Sequence, residues 1–148
     1  MAIIPPDPLF VDTNVPMYAA GGEHPYREPC LRILDAIRRG NIEAVSDCEV
    51  HQEIMYRYLA VGLPDKARGV SQTFQQLVPN VLPIQMADLV RARELSTVYP
   101  RLSARDLLHL AIMLNNGIKG IITADTDFDG VQGLQRWDPI ALAGSLAT

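Results

Sequence analysis

This chain of 148 residues has few cysteines and no excess of positive charge, and each shortage narrows what it can be. Two cysteines, Cys30 and Cys48, are too few for a disulfide framework and lack the C-x-x-C spacing of a zinc ribbon, so a reducing cytoplasm is the expected setting. Thirteen Lys and Arg against 17 Asp and Glu leave a net charge of −4. Bulk charge therefore does not hold a nucleic acid, and a phosphate-bearing substrate would need local arginines or a bound cation. No apolar run approaches the ~20 residues that span a bilayer, so no membrane-spanning helix is expected. The opening residues 1–8 carry three prolines and no cationic segment, which argues against a secretory leader. Repeats, low-complexity stretches and Gly/Ser/Pro linkers are also missing. One domain over residues 1–148 is the simplest organisation. A composition 48% hydrophobic and 20% charged supplies a core and excludes disorder.

Apolar runs and helical spacings alternate along the chain. Residues 9–11, Leu-Phe-Val, read as a buried strand that stops at Asp12. Residues 14–20 fit a short helix closed by Gly21 and Gly22. Residues 29–39 carry Leu31, Ile33, Leu34 and Ile37 on one stripe and end at Gly40. Residues 42–45 predict a second strand. Ser46 and Glu49 match the S-x-x-E capping box, so a helix is expected to open there and run to residue 61. Helices over 64–77, 87–99 and 103–116, a weak strand over 80–84, and strands over 120–123 and 134–137 complete the pattern. Strands alternating with helices predict an α/β fold with a mostly parallel central sheet flanked by helices. In such sheets chemistry gathers beyond the carboxyl ends of the strands. Asp12 and Asp125 stand there, and Glu53 and Asp106 lie near the starts of helices facing the same edge.

Each acid also has a plain structural role open to it. Asp12 can cap the helix it precedes. Its segment resembles the D-x-D motif of haloacid-dehalogenase-type phosphatases, but the third position is Asn14, so the general acid is missing and no lysine can be placed. Glu53 can pair with Arg57 at i,i+4, worth roughly a few tenths of a kcal/mol, although Glu49 stands one turn before it. Asp106 can be the first-turn carboxylate after Ser103. The helix that follows is apolar nearly all round, so it is expected to be buried, where a carboxylate is costly unless paired. His109 shares the face of Asp106 and reads as a core or supporting histidine rather than a metal ligand. Asp125, Asp127 and Asp129 imitate the opening of an EF-hand calcium loop, but Arg136 occupies the twelfth position and a strand precedes the loop. An Asx-rich turn is the plainer account of these residues.

Taken together, the acids point to a cation. Carboxylates roughly 5 Å apart at an effective dielectric of about 20 repel by roughly 3 kcal/mol per pair, against a domain stability of about 5–15 kcal/mol. Oxygen ligation without cysteine selects Mg²⁺ or Mn²⁺ over zinc. Phe10-Val-Asp12-Thr-Asn14, Glu53 in a helix after the second strand, Arg105-Asp106-Leu-Leu-His109-Leu-Ala111 and Thr123-Ala-Asp125-Thr-Asp127-Phe128 resemble the PIN domain family. Within that family the chain is similar to the small VapC-type ribonucleases, the toxins of toxin–antitoxin pairs, over residues 9–137. The resemblance implies a single PIN-like domain and Mg²⁺- or Mn²⁺-dependent hydrolysis of RNA phosphodiester bonds. Carried over position by position, it makes Asp12, Glu53, Asp106 and Asp125 the catalytic and metal-holding acids and Asp127 a fifth metal acid. Thr13, Asn14 and Thr123 would orient the carboxylates and the attacking water.

Metal-assisted hydrolysis requires no nucleophilic side chain, and no Ser–His or Cys–His pair can be placed from the sequence. Arg57, Arg101 and Arg105 flank the acids and are the candidates to meet substrate phosphates. The rival reading is a PIN-like binding or scaffold module that does not cut, against which the four acids argue. RNA, an antitoxin protein and a second copy of the chain are the expected partners, without a membrane. The helices over 29–39 and 46–61 carry Leu, Met and Tyr beyond what one core face uses, including Met55, Tyr56 and Tyr58, and part of this surface is expected to form a groove for a partner's helix or for that second copy. Residues 62–83 carry no motif and are expected to set substrate or partner choice.

Overall fold

Three consecutive apolar residues near the start of the chain, Leu9–Val11, are buried on both faces of the sheet they join and form its central strand, β1. The computed structural model describes residues 7–146. Residues 1–6 of the proline-rich opening, and the last two residues of the expected domain, lie outside that range. The other strands are β2 (Ala44–Asp47), β3 (Val81–Leu82), β4 (Gly120–Ile122) and β5 (Gln135–Trp137), in spatial order β3-β2-β1-β4-β5. Every pairing is parallel. The helices are α1 (Asn14–Ala20), α2 (Arg27–Arg38), α3 (Cys48–Ala60), α4 (Pro64–Leu77), α5 (Met86–Val98), α6 (Ala104–Asn115) and α7 (Pro139–Ser145). Helix α5 packs on α6, while α2 contacts α1, α4 and α7, and α3 touches both α4 and α6. Among the described residues no helix is long and apolar enough to cross a membrane.

The chain leaves β1 toward β2 and β3, then returns through α5 and α6 to place β4 on the other side of β1. The carboxyl ends of β1 and β4 therefore flank a topological switch point, where an open parallel sheet leaves a crevice. Close approach is needed at β4: a Cβ on Gly120 would sit 2.6 Å from Leu9 Cδ2 and 3.2 Å from Trp137 Nε1. Helix α6 is buried from Leu107 through Met113, as its all-round apolar sequence predicts.

The capping box expected from Ser46 and Glu49 does not form. Strand β2 runs two residues further than predicted because Ser46 and Asp47 pair with Val81 and Leu82 of β3. Asp47 then becomes the cap of α3, its Oδ1 accepting the Val50 N–H at 2.9 Å. Helix α7 was not predicted, although Asp138 followed by Pro139 is a good start signal, and Asp138 accepts N–H bonds from Ile140 and Ala141. The Asx turn expected after Asp125 is a single 3₁₀ turn over Thr126–Gly130, with Asp125 as its cap.

Candidate metal centre

Four separate segments deliver one carboxylate each to the switch point. Asp12 ends β1, Glu53 lies in the second turn of α3, Asp106 in the first turn of α6, and Asp125 just past β4. All four line one small cavity of about 200 Å³, together with Thr13, Asn14, Arg57, Ser103 and Arg105. Asp127 does not line it. That side chain is exposed, and its backbone N–H donates to Asp125 Oδ1 at 2.9 Å, so it orients Asp125 rather than facing the cavity. Arg101 is exposed and also stands outside the lining.

Asp12 is held from several sides. The Thr13 N–H donates to its Oδ1 at 2.8 Å, and the Thr123 hydroxyl donates to its Oδ2 at 2.8 Å. Asn14 Nδ2 donates to Thr123 Oγ1 at 2.9 Å and to Asp12 Oδ2 at 3.4 Å. Thr123 Oγ1 also accepts the Asp125 N–H at 3.0 Å, which couples the β1 and β4 acids through one hydroxyl. Arg136 Nη1 donates to the Thr123 carbonyl at 3.1 Å and steadies the same loop. Asn14 and Thr123 thus both hydrogen-bond to the Asp12 carboxylate. Thr13 orients Asp12 through its backbone, and its hydroxyl has no partner.

Charge compensation in the cavity is uneven. Arg105 approaches Glu53 at 3.1 Å and Glu49 at 3.4 Å, and Arg57 approaches Glu53 at 3.8 Å. Among the described residues no arginine pairs with Asp12, Asp106 or Asp125. Burial pushes the Asp12 carboxyl up despite the opposing help of His109, Thr123 and Thr13. Burial and the Asp12 charge push Asp106 up to about 7. Glu49 is also raised by burial, against the attraction of His109 and Arg105.

Below this cavity lies a pair only half seen in the sequence. His109 is fully buried, with Nδ1 2.7 Å from Asp47 Oδ2. Burial works against a proton on that ring, but Asp47, Asp12 and Asp106 outweigh it and raise the imidazole to about 9. Asp47 was missed. It ends β2 just as Asp12 ends β1, so the strand-end rule could have found it had the capping box not claimed Ser46. A serine–histidine contact exists too: His51 Nδ1 and Ser71 Oγ lie 2.8 Å apart and tie α3 to α4, but neither lines the acidic cavity.

The donor set fits a divalent cation. One oxygen each of Asp12 and Asp106 and one ring nitrogen of His109 lie within 4.8 Å of one another. Ligands at about 2.0–2.6 Å from a shared ion come no farther apart than about 4–5 Å. Two buried atoms nearby, His109 Nε2 and Thr13 Oγ1, have no hydrogen-bond partner among the described residues.

Comparison with known proteins places the chain in a family. The PIN domain family matches residues 9–134. A VapC ribonuclease of Mycobacterium bovis is 36% identical over 128 residues, 86% of this chain and 98% of that protein. Ribonuclease VapC23 of Mycobacterium tuberculosis is 37% identical over 117 residues, 79% of this chain and 92% of that protein. Among solved structures, VapBC2 from Rickettsia felis bound to a promoter DNA fragment superimposes with a TM-score of 0.70 at 17% identity, covering 89% of this chain and 100% of that one. At that identity the likeness is one of fold.

Proposed function

The chain belongs to the PIN domain family, and from that premise we propose that it is a Mg²⁺- or Mn²⁺-dependent endoribonuclease and the toxin of a toxin–antitoxin pair. The observation that carries the reading is the meeting of Asp12, Glu53, Asp106 and Asp125 around one cavity at the switch point. Four acids from four segments have no shared structural task, and two of them hold protons more tightly than ordinary carboxylates. Functional sites collect such groups.

A bound divalent ion would supply charge stabilisation at the attacked phosphate and a more acidic water. The residues of the chain do the rest. Asp12 and Asp106 would hold the ion, with Glu53 and Asp125 completing the acidic rim. Thr123, Asn14 and the Thr13 N–H keep the Asp12 carboxylate in one orientation, so little reorganisation remains when substrate arrives. Asp127 acts through its N–H on Asp125. Arg57 and Arg105 stand at the rim with their guanidinium groups against Glu53, from where they would meet the RNA backbone.

An antitoxin partner has a surface to meet. An apolar groove of about 550 Å³ lies between α1, α2 and α4 and includes Leu31, Leu34, Val70, Phe74 and Leu77. An amphipathic helix fits such a groove. Its α2 wall lies on one of the two helices expected to carry such a surface, and Met55 and Tyr56 of α3 line a separate apolar pocket, whereas Tyr58 is only 7% exposed and belongs to the core, because α4 packs on that side of α3. Residues 62–83 contain α4 and so contribute one wall of the groove.

The test is a cleavage assay on structured and single-stranded RNA beside a calorimetric metal titration. Mg²⁺ or Mn²⁺ should bind, raise the melting temperature and support cleavage that EDTA abolishes. Ca²⁺ should bind without supporting it, because its looser geometry positions water poorly. Absence of divalent binding at millimolar metal would remove the enzyme reading.

A further inference from the structure

His109 stands on α6 one turn beyond Asp106, with no part of its side chain reaching solvent. Its Nδ1 faces Asp47 Oδ2 at 2.7 Å, and the other Asp47 oxygen already accepts the Val50 N–H. A carboxylate serving as acceptor on both oxygens leaves the hydrogen of that contact on Nδ1. Nε2 therefore points the other way, toward Asp12 and Asp106. Among the described residues it has no hydrogen-bond partner, and its distance of 4.0 Å to Asp12 Oδ1 is beyond hydrogen-bond range. The Phe10 ring, 5.2 Å away between centroids, packs against the imidazole and restricts its rotation. An imidazole whose far N–H is fixed by a carboxylate, and whose near nitrogen can exchange its proton for an ion, is the arrangement of metal-ligating histidines.

We propose that His109 Nε2 is a nitrogen donor to the divalent ion held by Asp12 and Asp106, with Asp47 fixing the tautomer that makes it one. The inference rests on the metal-dependent reading above and extends it to the identity of the ion. A nitrogen donor favours Mn²⁺ over Mg²⁺, which prefers oxygen ligands alone. Asp47 is a positioning residue in this scheme, because it acts only through the ring.

Pulsed electron paramagnetic resonance on the full chain loaded with Mn²⁺ tests this directly. Imidazole nitrogen coupling to the ion is expected in the unaltered protein. It should vanish in His109→Gln and persist in His24→Gln and His51→Gln, the other two histidines of the chain. Calorimetric titration should show the preference for Mn²⁺ over Mg²⁺ falling by about tenfold or more in His109→Gln. Should His109→Gln fail to fold, coupling that survives in both other variants still assigns the nitrogen to His109. Bound Mn²⁺ without nitrogen coupling, or coupling lost with His24 or His51, overturns the proposal and leaves the nuclease reading standing. Failure of Mn²⁺ to bind at all removes both.

Discussion

Asp106 is where chemistry and stability pull in opposite directions. Ser103 Oγ accepts the Asp106 N–H at 3.1 Å, so the helix start is satisfied by the serine whatever side chain follows at 106. The Asp106 carboxyl itself is crowded by burial and by Asp12 and Asp125. Asp106→Asn keeps the shape and removes the charge. In EDTA at neutral pH it should be at least as stable as the parent and gain about 1 kcal/mol or more, the worth of one pKa unit, as read by urea denaturation. Cleavage and metal-induced stabilisation should both be lost. A purely helix-capping carboxylate would give the reverse: intact cleavage and a loss of up to about 1 kcal/mol. At this scale the sequence was informative for residues that follow apolar runs. Asp12 and Asp125 could be found because Leu9–Val11 and Gly120–Ile122 announce their strands. Asp127 shows what spacing leaves open: in a short turn it does not say which of two neighbouring acids lines the cavity and which exposes its side chain while lending its N–H.

Elements were legible wherever the hydrophobic period was long, as in α4 and α6, and least so where an element's length depends on a distant partner. Strand β2 reaches Asp47 because β3 lies beside it, and β3 comes from residues 81–82. No local signal at Ser46 carries that information. The consequence is that Asp47 joins three elements: it ends β2, caps α3 and holds His109 of α6. Asp47→Ala should therefore cost about 3–5 kcal/mol in urea denaturation, the range for removing one partner of a buried charged pair. Asp47→Asn retains both a good cap and an acceptor for the ring N–H and should cost distinctly less. Equal losses from the two substitutions would mean that charge alone, and not hydrogen bonding, holds the three elements together.

Across the whole molecule the metal-free acidic site sets a pH dependence of known sign. Asp106 titrates at about 7 and His109 at about 9 in the folded protein, each above its value in an unfolded chain. The folded state therefore binds more protons, and stability present at mildly acid pH is lost as pH rises through about 4–9. The melting temperature in EDTA should fall by several degrees between about pH 6 and about pH 8.5. Saturating Mg²⁺ or Mn²⁺ should flatten or reverse that trend, because the ion takes the place of the protons. The placement of β4 beside β1 has one more consequence, this time for rates. The Thr123–Asp12 hydrogen bond closes a span of 111 positions, and the four acids meet only when that closure is made. Closing so long a loop costs entropy before its contacts repay it, and on that ground this contact is expected to form after the transition state. The ion should thus find no site in the folding transition state. It should slow unfolding by the full factor of its stabilisation while leaving the refolding rate unchanged, so that only the unfolding arm of a chevron plot moves when metal is added.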